Sequence, residues 1–152
     1  MKMIHLFVYV IWLLFVLTIG TSPLCAQAPT TPKILFTSGR DGNSEIYIMN
    51  PDGSEQMNLT QHPATDQEAV WSPTGEQIIF ISNRRDFRPR GNRDLYLMDP
   101  DGSNVRRVLK KIAGWRTDPT WAPDGKQIAY RQLYWNGEGT SGMYIALSLI
   151  HI

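Results

Sequence analysis

WSPTGEQI at Trp71–Ile78 is written again 50 residues later as WAPDGKQI at Trp121–Ile128. A second turn recurs in step with it: NPDGS at Asn50–Ser54 and DPDGS at Asp99–Ser103, 49 residues apart. Two different turns returning in the same order at nearly the same period define a repeated supersecondary unit. In each, Pro presets φ at about −65° and Gly accepts positive φ without steric penalty. Asn50 and Asp99 add a side-chain oxygen that can bond the turn backbone. Each turn therefore closes a hairpin between two flanking strands.

The segments between the turns are short, rich in Ile, Val, Tyr, Phe and Trp, and bounded by Gly, Pro, Asn and Asp. Such segments read as strands, expected at 33–38, 45–50, 56–60, 68–72, 77–82, 94–99, 105–109, 119–122, 127–134 and 142–146. Runs such as IIFI and IYIM do not alternate apolar with polar residues. Strands of this kind are covered on both faces, as in stacked sheets rather than a lone sandwich. The unit is strand a ending in Trp, a Pro-Gly turn, strand b, a variable loop, strand c, a Pro-Asp-Gly turn, strand d and a second loop. Four antiparallel strands in about 40–50 residues is the period of a propeller blade. The expected fold is all-β: a partial β-propeller of four-stranded antiparallel blades over 33–146, its partial blades at 33–60, 67–110 and 118–146. The first unit lacks strand a and the third lacks strand d, which leaves about two and a half blades where a closed ring takes about four to eight.

Ahead of the repeats, Lys2, the uncharged apolar run Leu6–Gly20 and a polar stretch ending in Ala26-Gln27-Ala28 form the three parts of a secretory signal peptide, 1–28. Its apolar run is short of the roughly 20 residues a membrane span needs, so cleavage after Ala28 is expected, with 29–32 as linker and an uncleaved anchor as the alternative. The one cysteine, Cys25, lies in this leader, so the exported part holds no disulfide and no cysteine-based metal site. Without Lys2 the remainder carries 14 Lys/Arg against 14 Asp/Glu. That balance gives no footprint for nucleic acid, and membrane contact is expected only through the leader.

WSPTGEQIIFIS and EIYIMNPDGS resemble the WD-like propeller repeats of the periplasmic TolB family, from Ile34 to about Tyr130. The resemblance implies a ring whose last strands complete the first blade, and a binding role in cell-envelope assembly. That family carries an α/β domain ahead of its propeller, and none fits between Pro29 and Lys33. The same repeat is similar to the propeller of exported prolyl-oligopeptidase-like hydrolases. That leaves a second class open: the propeller domain of a truncated hydrolase. A Gly-x-Ser-x-Gly after the last repeat would mark the hydrolase, whereas three or more further repeats and a stop would mark the binding module. A carbohydrate- or ligand-binding propeller is a third class. The chain is expected to be a C-terminally truncated fragment. Its last six residues, LSLIHI at Leu147–Ile152, back-translate to CTG TCT CTT ATA CAC ATC, the transposon end used in sequencing adapters, and 147–152 is expected to be a non-native tail.

Antiparallel strands alternate direction, so the a–b and c–d turns share one face and the b–c and d–a loops share the other. The turns have an architectural purpose; the loops carry the variation, and loops on a rigid scaffold are the usual place for binding. In the second unit the b–c loop is longer: Phe80 to Tyr96 is 16 residues, against 11 from Phe36 to Tyr47. It carries Arg84, Arg85, Arg88, Arg90 and Arg93 with Phe87 among them. Planar guanidinium groups in such a cluster suit an acidic protein surface or an anionic ligand. Asp66 and Asp118, five and three residues before the strand-a Trp, are read as matching positions that tie a loop to a neighbouring blade. No catalytic set is assembled: Gly-x-Ser-x-Gly is absent, and the histidines are His5 in the leader, His62 in a loop and His151 in the tail. Asp41–Glu45, DGNSE, lacks the acidic spacing of a calcium loop. No metal and no cofactor is expected.

Overall fold

The computed structural model describes residues 28–85, 92–109, 114–134 and 139–147. The leader up to Gln27 and the tail beyond Leu147 lie outside these residues. Ten strands are present among them: β1 (Ile34–Ser38), β2 (Glu45–Met49), β3 (Met57–Asn58), β4 (Asp66–Trp71), β5 (Ile78–Ser82), β6 (Asp94–Met98), β7 (Arg106–Arg107), β8 (Trp115–Trp121), β9 (Gln127–Leu133) and β10 (Gly142–Leu147). They form three antiparallel sheets, β1-β2-β3, β4-β5-β6-β7 and β8-β9-β10, the b-c-d, a-b-c-d and a-b-c units expected. Within each sheet every strand pairs with its neighbour in sequence. β10 runs one residue past the expected boundary, with Leu147 opposite Gln127.

The sheets stack face to face. β4 lies against β1 and β2, and β8 against β4, β5 and β6. The middle blade shows why its strands do not alternate. Ile78, Phe80, Tyr96 and Met98 meet Ile46, Ile48 and Leu59 of the first blade. Ile79, Ile81, Leu95 and Leu97 meet Trp121, Ile128, Tyr130 and Ala146 of the third. Four consecutive residues, Ile78 to Ile81, are thus buried on alternate sides, removed from water by the first and the third blade in turn. Burial of such a side chain contributes about 1.5–3 kcal/mol, so these two interfaces dominate the stability of the arc. On the far side of the third blade Met143 and Ile145 remain 66% and 69% exposed.

A strand that is apolar on both faces has no pattern to fix its register, since a one-residue slip swaps two equivalent faces. The turns fix it instead. Ser72 N donates to Gln77 O (2.8 Å) and Gly75 N to Ser72 O (2.9 Å), and Ala122, Gln127 and Gly125 repeat both bonds at 2.8 and 2.9 Å. In the c–d turns Gly53 N and Gly102 N donate to Asn50 O and Asp99 O, each at 2.9 Å, with both glycines at φ 84°. That φ is the left-handed conformation that an L-residue adopts only at a cost.

Strand a carries a repeated irregularity. β4 pairs with β5 through Asp66↔Ser82 and Trp71↔Ile78, with a register shift between Gln67 and Val70. β8 pairs with β9 through Arg116↔Gln132 and Trp121↔Ile128, with the shift between Thr117 and Thr120. The extra residue is Glu68 (φ 56°) in one and Asp118 (φ 53°) in the other. This corrects the sequence-based match of Asp66 with Asp118. The true equivalents are Asp66 with Arg116 and Glu68 with Asp118. Glu68 ties the blades together, its Oε2 accepting the Asp118 N–H at 2.7 Å.

Candidate functional site

The face opposite the Pro-Gly turns is built on a repeated rung. Phe36-x-Ser38-x-Arg40 and Phe80-x-Ser82-x-Arg84 share one spacing. In the first blade Phe36 pairs across the strands with Tyr47, ring centroids 5.4 Å apart, and the Arg40 guanidinium lies 4.7 Å from the Tyr47 ring. In the second, Phe80 and Tyr96 are 5.8 Å apart and the Arg84 guanidinium lies 5.2 and 5.1 Å from their centroids. Ser38 Oγ and Ser82 Oγ each accept the Nε–H of their arginine, at 2.9 and 3.1 Å. A cation over two aromatic faces, held by a hydroxyl, is fixed in place as the loop begins. The third blade keeps the ring pair, Tyr130 on Tyr144 at 6.0 Å, but has Tyr134 at the arginine position.

Ion pairs lie beneath the loops. Arg84 Nη2 meets Asp66 Oδ2 at 2.7 Å, and the Asp66 side chain is fully buried. Arg116, also fully buried, pairs with Asp94, whose other oxygen lies 3.7 Å from Arg107 Nη1. Asp94 begins β6 in the second blade and Arg116 lies in β8 of the third, so this pair crosses the interface. Burial pushes the Asp66 carboxyl above its ordinary value, opposed by Ser82 and Arg84. Burial also raises Asp94 against the pull of Arg116 and Arg85. It raises the Tyr96 phenol as well, and the Asp94 charge adds to that. On the turn face, Lys33, Ile48, Glu55, Met57, Pro100 and Asp101 line an open groove of about 750 Å³ crossed by a 3.0 Å Lys33–Glu55 pair.

The six residues of the arginine loop divide. Arg84 turns inward and is committed to Asp66, Ser82 and the two rings. Arg85 is exposed. Arg93 closes the loop: its carbonyl accepts the Arg116 N–H at 3.2 Å and its guanidinium lies 4.9 Å from the Trp115 ring. Phe87, Arg88 and Arg90 lie outside the described residues. The long loop thus leaves from Arg84 and returns at Arg93, both fastened to rigid strands. Sequence reasoning missed Arg40 and the pairing of Asp94 with Arg116. The shared Phe-x-Ser-x-Arg spacing would have exposed Arg40 and, with it, the structural role of Arg84. Among the described residues no three His, Cys, Asp or Glu side chains are grouped to hold a metal ion, and no helix is long and apolar enough to cross a membrane.

Residues 19–132 match the family model of the TolB beta propeller domain. An uncharacterized protein of Agrobacterium fabrum is 34% identical over 108 residues, 68% of this chain and 37% of its own length. The Tol-Pal system protein TolB of Geobacter sulfurreducens is 37% identical over 52 residues, 34% of this chain and 12% of that protein. An uncharacterized peptidase of Bacillus subtilis, YuxL, is 36% identical over 53 residues, 34% of this chain and 8% of its own. Among solved structures, TolB from Acinetobacter baumannii superposes with a TM-score of 0.61 at 25% identity, over 80% of this chain and 30% of that one. The chain therefore spans well under half of the relatives it matches.

Proposed function

The chain belongs to the TolB β-propeller domain family, and from that premise we propose that it is an exported, non-enzymatic binding module whose loop face engages an acidic protein partner in the cell envelope. The observation that carries this reading is the second-blade loop. It spans five residues more than its first-blade counterpart, carries Arg85, Arg88, Arg90 and Arg93 on either side of Phe87 in the sequence, and is anchored at both ends. Anchoring lowers the entropy lost when such a loop binds. The Geobacter relative is a Tol-Pal system protein, so the partner class to test first is the Pal component of such a system. Titration of the chain with that purified component should show saturable binding, weakened at least about tenfold by the reversal R85E/R88E/R90E. Equal affinity of the reversed chain would remove the loop from the interface, and no binding would remove the Tol-Pal assignment. Cleavage after Ala28 and the adapter origin of 147–152 belong to the same reading, checked by N-terminal sequencing of the exported product and by the source nucleotides.

The match to the Bacillus peptidase favours one second reading, the propeller domain of a larger exported hydrolase. The complete reading frame separates the two. A Gly-x-Ser-x-Gly segment downstream of the repeats would make this chain the non-catalytic part of an enzyme.

A further inference from the structure

The groove on the turn face lies at the seam between the first blade and the second. Ile48 and Met57, opposite one another on β2 and β3, line it from the first blade, and Pro100 and Asp101 line it from the c–d turn of the second. That turn is pressed onto the first blade, since a Cβ on Gly102 would lie 2.4 Å from the Leu59 carbonyl oxygen. The groove is therefore formed between fixed walls. Ile48 is buried, but Met57 is 52% exposed. An apolar side chain thus stands open to solvent on an apolar floor.

The second blade supplies an internal control. Asn50–Asn58 aligns with Asp99–Arg107 without a gap, so Glu55 corresponds to Asn104 and Met57 to Arg106. The pairing agrees: Met57 is opposite Ile48, and Arg106 is opposite Leu97. Glu55 and Asn104 share a left-handed backbone, φ 52° and 54°, a region that asparagine enters far more readily than glutamate. One turn thus carries an acid and a thioether in the first blade, and an amide and a guanidinium in the second. Charge around the groove is one-sided. Asp52, Glu55 and Asp101 are exposed. Each is held below its ordinary range: Asp52 by Ser54, Glu55 by Lys33 and Asp101 by Ser103. The cation among the lining residues, Lys33, is already engaged with Glu55 and Asn50.

We propose that this groove is a second docking surface, on the face opposite the arginine loop, for an extended protein segment that carries an aliphatic side chain flanked by lysine or arginine. The aliphatic group rests on Ile48 and Met57, whose flexible thioether adapts to its shape. The cations meet Asp101 and Glu55 at the rim. Charge complementarity selects the occupant, because three carboxylates around one committed ammonium repel an acidic segment. The inference is independent of the partner reading above, which concerns the other face and an acidic surface.

Three synthetic labelled peptides are the probes, titrated against the full chain by fluorescence anisotropy: GSLKLKSG, its acidic counterpart GSLELESG and its polar counterpart GSSKSKSG. The first should bind saturably, and the other two at least about tenfold more weakly. Glu55→Asn with Met57→Arg gives the first blade the corner of the second, on a backbone that already accepts it. That double variant should bind GSLKLKSG at least about tenfold more weakly without a lower urea midpoint. Peroxide footprinting locates the peptide: Met57 should oxidise readily in the free chain and be protected by GSLKLKSG, whereas exposed Met143 should oxidise equally in both. If the double variant fails to fold, the three peptides on the unaltered chain still decide the matter. No binding, equal binding of the peptides, unchanged affinity of a folded double variant, or protection that spares Met57 would overturn the proposal. So would a Met57 inert to peroxide in the free chain, since the groove would then be filled by the chain itself.

Discussion

Arg116→Met tests the buried pair that joins the second blade to the third. Arg116 is fully buried and the Asp94 side chain is 6% exposed. Removing the arginine leaves a carboxylate out of water with Arg107, 3.7 Å from its second oxygen, as its remaining ion-pair partner among the described residues. Breaking a buried pair on one side costs about 3–5 kcal/mol. The remaining Arg107 and the nearby Arg85 place the expected loss at the lower end, about 3 kcal/mol, or roughly 150-fold in the folding equilibrium. Urea unfolding followed by tryptophan fluorescence reads this directly, because Trp115 and Trp121 lie in β8 beside the pair. With a slope of about 1.5 kcal/mol per molar urea, the midpoint should fall by about 2 M. The sign of the pH effect is the sharper test. Burial already holds Asp94 above its ordinary value, and losing Arg116 raises it further. As pH falls through that raised value, Asp94 becomes neutral in both chains and the deficit should shrink. Asp94→Leu with Arg116→Met should recover most of the loss, since an apolar pair of similar volume does not strand a charge. A deficit below about 1 kcal/mol at neutral pH, or one that does not change with pH, would refute the ion-pair account.

Three further outcomes follow from the same geometry. A Cβ on Gly102 would lie 2.4 Å from the Leu59 carbonyl oxygen, whereas one on Gly53, at the same φ of 84°, meets nothing. Gly53→Ala should therefore cost about 1–2 kcal/mol from the left-handed backbone alone, and Gly102→Ala about 2 kcal/mol more, both read from urea unfolding. Arg84→Met should lose about 3 kcal/mol by stranding Asp66, while exposed Arg85→Ala should stay within about 0.5 kcal/mol by the same unfolding assay. Asp66 has a folded-state value raised above 3.8, chiefly by burial. Its favourable contribution is present below that value and is lost as pH rises through the raised one. Asp66→Asn, which cannot ionise, should gain on the parent chain as pH rises across this window, and parallel pH profiles of the two would contradict it.

Much of the architecture was legible before any coordinates. The Pro-Gly and Pro-Asp-Gly turns are local devices whose chemistry is complete within five residues, so Asn50–Ser54 and Asp99–Ser103 announce hairpins wherever they stand. The unbroken apolar runs IIFI and IYIM likewise declare two covered faces, and Ile78–Ile81 are buried on alternate sides by two different blades. The candidate site was legible only as a cluster of arginines, because what an arginine does depends on its neighbours in space.

The sequence by itself determined the strand order, the turn types, the repeat period and the propeller class, since all of these rest on interactions between residues near one another in the chain. Tertiary structure decided the rest. It turned Arg84 inward to Asp66, which lies eighteen positions earlier, and left Arg85 outside. It carried the same bulge in both copies of strand a, so that Asp66 matches Arg116 at five residues before the Trp and Asp118 matches Glu68 at three. It set Arg116 on Asp94, a pair twenty-two positions apart that exists only where one blade is pressed against the next. Charges select partners by distance through a low-dielectric interface, and that distance is fixed by stacking, not by position along the chain.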